Sequence, residues 1–248
     1  TLFRSPAPGA ASGDDRPLRS FDRLMASVDA LEALNLVLVT GDIADDGSYE
    51  AGAVARHRLA RFAARHGLAQ IYLPGNTDDR DAFRAVFGSG HLDSAGRDVA
   101  VRRLDGPECA AVSEHHGVRV VTLDSTVPGA MHGSLGEDQL SWLESVLAAP
   151  APRGTVVALH HPPISIKDSP FLSSVALRAS DRLGRVIEGT DVHVVLAGHF
   201  HIQAMGFLGT VPVWVSPAVE SRVDLTAPHD RLRFVLEPGA SIVGLPPD

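Results

Sequence analysis

The sequence predicts an α/β protein, a mixed sheet or two packed sheets flanked by α-helices, within one domain spanning residues 1–248. Three observations carry this expectation. Apolar runs suited to buried parallel strands alternate with amphipathic helical stretches as far as residue 197. Beyond that point the pattern changes to consecutive strand-like segments joined by short turns. Of the 248 residues 44% are hydrophobic, enough for a substantial core.

Taken in order, residues 5–17 are rich in Pro, Ala, Gly and Asp and predict an irregular loop. Phe21, Leu24, Met25, Val28 and Leu31 recur at helical spacing and give one apolar face. Strand 36–40 follows, then a helix over 49–66 that Gly67 terminates. Strand 71–74 precedes a short helix at 81–87. Residues 99–104 and 118–124 are β-like, with a connection around Pro107-Glu108. A helix over 137–147 turns Leu140, Leu143 and Val146 or Leu147 inward. Strand 155–159, a helix at 174–188 and strand 192–197 complete the alternation. Residues 205–208, 211–216, 231–236 and 241–243 read as antiparallel strands that close the structure.

The bulk numbers exclude some functions. A net charge of −8 disfavours long nucleic acid, which needs clustered Lys and Arg. A small phosphorylated substrate is still accessible, because a metal supplies positive charge locally. The single cysteine, Cys109, permits no internal disulfide and agrees with a reducing compartment. No apolar run approaches the ~20 residues of a membrane span. The stretch Thr1-Leu2-Phe3-Arg4 runs into Pro, Gly, Ser and Asp and does not read as a signal peptide. A cytoplasmic protein is expected.

Four short segments set metal-binding side chains at the end of an apolar strand: Gly41-Asp42, Gly75-Asn76, His160-His161 and Gly198-His199-Phe200-His201. In open α/β sheets the carboxyl ends of strands converge on the ligand crevice. Singly the segments are weak signals. Gly-Asp after a strand is also the pattern of a turn, and Asn in a turn needs no function. His-x-His alone suits two polar residues at a strand end, pointing to opposite sides. Two histidines before Pro162-Pro163 are harder to explain structurally, and the four segments share one context.

The order Gly-Asp-x-x-Asp, Gly-Asn-x-Asp, His-His-Pro-Pro and Gly-His-x-His resembles the calcineurin-like metallophosphoesterase superfamily. The stretch Leu123 to Gly129, with His132-Gly133, Gln139-Leu140 and Trp142-Leu143, resembles its class III cyclic nucleotide phosphodiesterase branch. The resemblance covers roughly residues 18–220 and implies two packed, mostly mixed β-sheets flanked by α-helices, a four-layer sandwich. It implies two divalent ions (Mn, Fe or Zn) bridged by Asp42, one also held by Asn76, His160 and His199, the other by His201. It further implies that a metal-bridging hydroxide attacks the phosphorus of a phosphodiester. The catalytic set becomes Asp42, Asn76, Thr77 and His161, and Asn76, Thr77, His132 and His201 meet the substrate. A cyclic nucleotide or similar small ester is the implied substrate, and a homodimer the implied assembly.

Two departures qualify the resemblance. The family begins with a strand ending in Asp-x-His, which supplies two ligands to the ion held by His201, and this sequence has no such motif. That strand is cut off, or the residues are absent, or Thr1-Leu2 is the tail of a degenerate form. Asp14 and Asp15 are alternative ligands, although they also fit solvated loop charges. The second departure is Thr77, where most of the family has a histidine that steadies the phosphate and protonates the leaving group. A threonine hydroxyl is no acid near neutral pH, and general acid help is worth ~10²–10⁴ in rate. His132 and His161 are candidate replacements. Two alternatives stay open: a broad phosphoesterase acting on diesters or monoesters, and a catalytically silent protein that keeps one metal.

Overall fold

A computed structural model describes residues 16–31, 33–227 and 232–245. The first half builds a three-stranded sheet. Helix α1 (Arg16–Val28) leads to β1 (Leu36–Thr40), α2 (Tyr49–His66) to β2 (Ala69–Leu73), and α3 (Arg80–Phe87) to the short β3 (His91–Leu92). β1 and β2 are parallel, and β3 returns antiparallel to β2. The punctuation of α2 is local: the Ser48 side chain accepts the Ala51 N–H, and Gly67 at φ 68° stops the helix. The buried face of α2, Ala55, Leu59 and Phe62, joins Phe21, Tyr72, Phe83 and Phe87 in one core. Each large side chain buried there contributes about 1.5–3 kcal/mol.

The second half builds a seven-stranded sheet. Its elements are β4 (Arg102–Arg103), β5 (Ala111–His115), β6 (Val118–Thr122), α4 (Glu137–Leu147), β7 (Thr155–Ala158), α5 (Pro170–Ser174), α6 (Ser180–Ile187), β8 (Val192–Ala197), β9 (Ala204–Leu208) and β10 (Val211–Val215). The strand order is β4-β5-β6-β7-β8-β10-β9. β6, β7, β8 and β10 run parallel at the centre, and both edges pair antiparallel. Leu140 and Leu143 of α4 and Leu183 and Ile187 of α6 pack onto Val121, Val157 and Val195. A two-stranded ribbon, β11 (Ser221–Val223) and β12 (Phe234–Leu236), follows. The expected packed mixed sheets with flanking helices are therefore observed.

Two seams join the sheets. His91 of β3 is fully buried and bonds Ser113 Oγ of β5 at 2.6 Å and Thr122 Oγ1 of β6 at 2.9 Å. At the other seam the Thr40 carbonyl ending β1 meets His160 Nδ1, just past β7, at 2.6 Å. That second seam collects the carboxyl ends of β1, β2, β7 and β8.

Several local expectations are corrected. The helix expected over 174–188 is two helices, because the chain between them bonds elsewhere: Leu177 N–H donates to the Pro162 carbonyl and Arg178 N–H to that of Gly133. Ala179 then turns at φ 50° to start α6. The β-like stretch 99–104 keeps only β4, with Val101 67% exposed. Residues 241–243 form no strand; Ser241 Oγ instead accepts Trp214 Nε1–H at 2.8 Å. The closing strands are not all antiparallel, since β10 pairs with β8 in parallel. His193, within β8, is exposed. Thr1, Leu2, Asp14, Asp15 and Arg231 lie outside the described residues. Among the described residues no helix is long and apolar enough to cross a membrane.

Candidate metal centre

The four motif segments meet at the Thr40–His160 seam. Their backbones approach so closely that side chains are excluded. A Cβ on Gly75 would lie 2.2 Å from the Asp42 nitrogen, and one on Gly198 would lie 2.6 Å from Thr40 Oγ1. Asp42, His199 and His201 take φ values of 51°, 63° and 52°. They are three of the five non-glycine residues at positive φ among the described residues. Such conformations cost on the order of 1–3 kcal/mol each and persist where surrounding structure enforces them.

Asp42 Oδ2 lies 3.3 Å from His160 Nε2, Asn76 Oδ1 lies 3.2 Å from it, and His199 Nδ1 3.0 Å. The Thr40 carbonyl can only accept, so it fixes the proton of His160 on Nδ1 and leaves the Nε2 lone pair facing the other three groups. A carboxylate oxygen, an amide oxygen and two imidazole nitrogens thus turn electron pairs toward one another inside the protein. Without a cation this is satisfied only by protonating a histidine. Ligands about 2.0–2.2 Å from a shared tetrahedral centre stand about 3.3–3.6 Å apart, close to the spacings found. The residues present fit a divalent cation.

Burial opposes charge throughout the group. It lowers His199 to about 3 and His201 to about 4, and holds His161 well below the imidazole range. It opposes the charged form of His160 too, yet the Asp42 carboxylate raises His160 overall. Burial likewise pushes Asp42 upward, and His160 outweighs it, leaving Asp42 well below the carboxylate range. These opposed shifts describe a site where negative charge awaits a positive partner.

The remaining expected residues fall as follows. Thr77 donates both its N–H and its hydroxyl to Asp42 Oδ1 at 3.1 Å. His161 is buried beside the group, its ring 4.8 Å from that of His160 and 4.6 Å from that of His199. His201 stands apart from the convergence, with Nδ1 3.1 Å from Ser221 Oγ and its ring 5.5 Å from that of Phe234. With Asp42, His160 and His199 it lines a cleft that also touches Phe21, Met25 and Val219. His132 is half-buried in the loop before α4 and makes no hydrogen bond among the described residues.

Sequence reasoning passed over Asp78. Its carboxylate accepts N–H bonds from Ile43 at 3.0 Å, Ala44 at 2.8 Å and Gly75 at 2.9 Å, and so clamps the Asp42 loop to the Asn76 loop. Burial pushes Asp78 up to about 6 against the pull of those donors. The available signal was the Asp that closes Gly-Asn-x-Asp. Nearby, buried Asp124 receives Arg80 Nε at 2.7 Å and the Cys109 N–H at 2.9 Å, tying the start of α3 to the end of β6.

Residues 17–203 match the calcineurin-like phosphoesterase family, and the chain belongs to that family of hydrolases. Among curated relatives it is 38% identical to a cAMP/cGMP dual specificity phosphodiesterase of Mycobacterium tuberculosis over 219 residues, 88% of this chain and 64% of the relative. It is 33% identical to the 3',5'-cyclic adenosine monophosphate phosphodiesterase CpdA of Escherichia coli over 168 residues, 67% and 54% of the two chains. The chain thus spans roughly half to two thirds of the length of these relatives. A dimetal phosphatase from Danio rerio superposes with a TM-score of 0.57 over 96% of this chain and 95% of that one, at 14% identity, a likeness of fold alone.

Proposed function

We propose that the chain hydrolyses a phosphodiester, a cyclic nucleotide of the 3',5'-cyclic AMP type, with divalent cations of the Mn, Fe or Zn class. The observation that carries this reading is the convergence of Asp42, Asn76 and His199 on the lone pair of His160. The names of the two curated relatives support the substrate class. One ion would take Asp42, Asn76, His160 and His199. A second would share Asp42 and take His201. Bound divalent cations lower the pKa of water and stabilise charge on the attacking and leaving oxygens.

The chain's own groups prepare that site. The Thr40 carbonyl presents His160 as a ligand, and Asp78 holds the two acidic loops in register. Thr77 binds Asp42 Oδ1 and leaves Oδ2 turned to His160. Its hydroxyl is therefore a positioning group for Asp42, and proton delivery to the leaving oxygen falls to another residue or to water. We assign His132 and His201 to the rim where substrate enters, and Asn76 to both cation and phosphate.

Hydrolysis of bis(p-nitrophenyl) phosphate with Mn²⁺, by wild type and Asn76→Ala, tests the enzyme reading. Metal-dependent turnover lost in the variant is expected, and no turnover above background would end it. Cyclic AMP, its 2',3' isomer and a monoester then separate a cyclic nucleotide enzyme from a broad phosphoesterase. The lone position of His201 favours one rival, a silent protein that binds a single ion without turning over any of these esters.

A further inference from the structure

His160 and His161 are neighbours in sequence, yet their Nδ1 atoms face opposite chemistry. His160 Nδ1 meets a carbonyl oxygen, which can only accept. His161 Nδ1 meets the Ser125 hydroxyl at 2.8 Å. That hydroxyl oxygen already accepts the backbone N–H of His161 at 3.2 Å. Ser125 is 0% exposed, so no bulk water takes its proton, and buried hydroxyl protons are rarely left without an acceptor. Among the described residues the acceptor within reach is His161 Nδ1. An Nδ1 that accepts leaves the proton of a neutral imidazole on Nε2.

The Nε2 atom of His161 is itself buried and has no partner among the described residues. The ring is also fixed in place. A Cβ on Gly133 would lie 2.5 Å from His161 Cγ, so the bare backbone there packs on the imidazole. By proximity alone His161 groups with His160 and His199, their ligand atoms all within 4.8 Å of one another, as a triad that could share an ion. The Ser125 contact argues against that grouping, because a nitrogen that carries a proton is not a metal ligand.

We propose that Ser125 is a positioning residue that holds His161 as its Nε2–H tautomer, which makes His161 a hydrogen-bond donor to an anionic phosphoryl oxygen at the cation site instead of a ligand of the cation. The substrate half of this inference rests on the phosphoesterase reading above, whereas the tautomer half does not. His161 then supplies a donor that Thr77, engaged with Asp42, does not. The serine acts only through the imidazole, by deciding which of its two nitrogens bears the proton.

Long-range ¹H–¹⁵N spectra of the metal-free and the Zn²⁺-loaded chain test the tautomer, with His161 assigned through His161→Gln. Nε2–H is expected in both forms of wild type, with a mixture or the other tautomer in Ser125→Ala and the wild-type pattern restored in Ser125→Thr. An Nδ1–H ring in wild type, or a zinc-bound Nε2, would overturn the proposal whether or not the chain turns over phosphoesters. Turnover of bis(p-nitrophenyl) phosphate reads the second half. Ser125→Ala and His161→Ala should each lose kcat on the order of 10²-fold, the usual effect of removing one oriented donor, with zinc affinity unchanged. The double variant should lose no more than His161→Ala alone. Multiplicative losses, or a tenfold fall in zinc affinity in His161→Ala, would contradict it. Failure of the phosphoesterase reading is distinct: wild type then shows no turnover while the spectra still report Nε2–H.

Discussion

Around His160 three potential ligand atoms stand within 3.3 Å of a single nitrogen, whereas His201 has only the Ser221 hydroxyl, the Phe234 ring and a cleft wall for company. Both histidines follow apolar strands, and the family resemblance implied both as ligands. The difference lies in how many elements reach each one. His160 receives the ends of β1, β2 and β8, brought together by glycines that allow backbone contact. His201 lies two residues beyond His199, where Ser221 of β11 and Phe234 of β12 stand against it. A cation site is completed by convergence from several strands, and a single motif supplies only a part of it.

The sharpest way to break this contrast is to remove the preassembled side. Asn76→Ala or His160→Ala should reduce metal-dependent diester hydrolysis by at least about 10²–10³-fold, as expected for the loss of one electrostatic partner in an organised site. Steady-state rates at saturating Mn²⁺ check this, and a variant within threefold of wild type would refute it. Metal removal should follow on a smaller scale. An ion present at 100 times its dissociation constant stabilises the fold by about 2.7 kcal/mol, so chelation should lower the melting temperature of wild type and leave that of Asn76→Ala nearly unmoved. Thermal unfolding with and without EDTA reads the difference.

His201→Ala is the matching test on the sparse side. It should weaken binding of one ion by about 10–100-fold and spare the other, seen as two separable phases in calorimetric Mn²⁺ titration. Loss of both phases would erase the distinction between the halves. The smallest effect on metal binding and turnover is expected at the far seam, where buried His91 provides a control. Burial, and then His115, lower His91 to about 3. Its folded value lies below the unfolded value of 6.5, so the unfolded chain takes up the extra proton. The stability it contributes is complete above pH 6.5 and is lost as pH falls toward 3, by up to about 1.4 kcal/mol per pH unit. In urea unfolding, His91→Gln should be less stable at pH 7, approach wild type as the pH falls to 5, and keep wild-type metal affinity.

Much of this architecture was legible because the signals were local. The helices at 49–66 and 137–147 carry their own periodicity and, at Gly67, their own stop. The ligand segments were visible because each sits at the end of an apolar strand. What the sequence hid was tertiary. The break between α5 and α6 comes from bonds to Pro162 and Gly133, which no helical periodicity records. The carbonyl of Thr40 sets the proton of His160, and a carbonyl has no side-chain signature. Asp78 and Ser125 act by clamping loops and rings whose partners lie 3 to 36 residues away, so their roles appear only once the seam is closed.

Anomalous scattering from crystals soaked in Mn²⁺ addresses the shared site most directly. The structure predicts a peak about 2.0–2.3 Å from a carboxylate oxygen of Asp42, Asn76 Oδ1, His160 Nε2 and His199 Nδ1 together. A manganese peak bound by His161 in place of Asn76, or none near His160 at full soaking, would contradict the account.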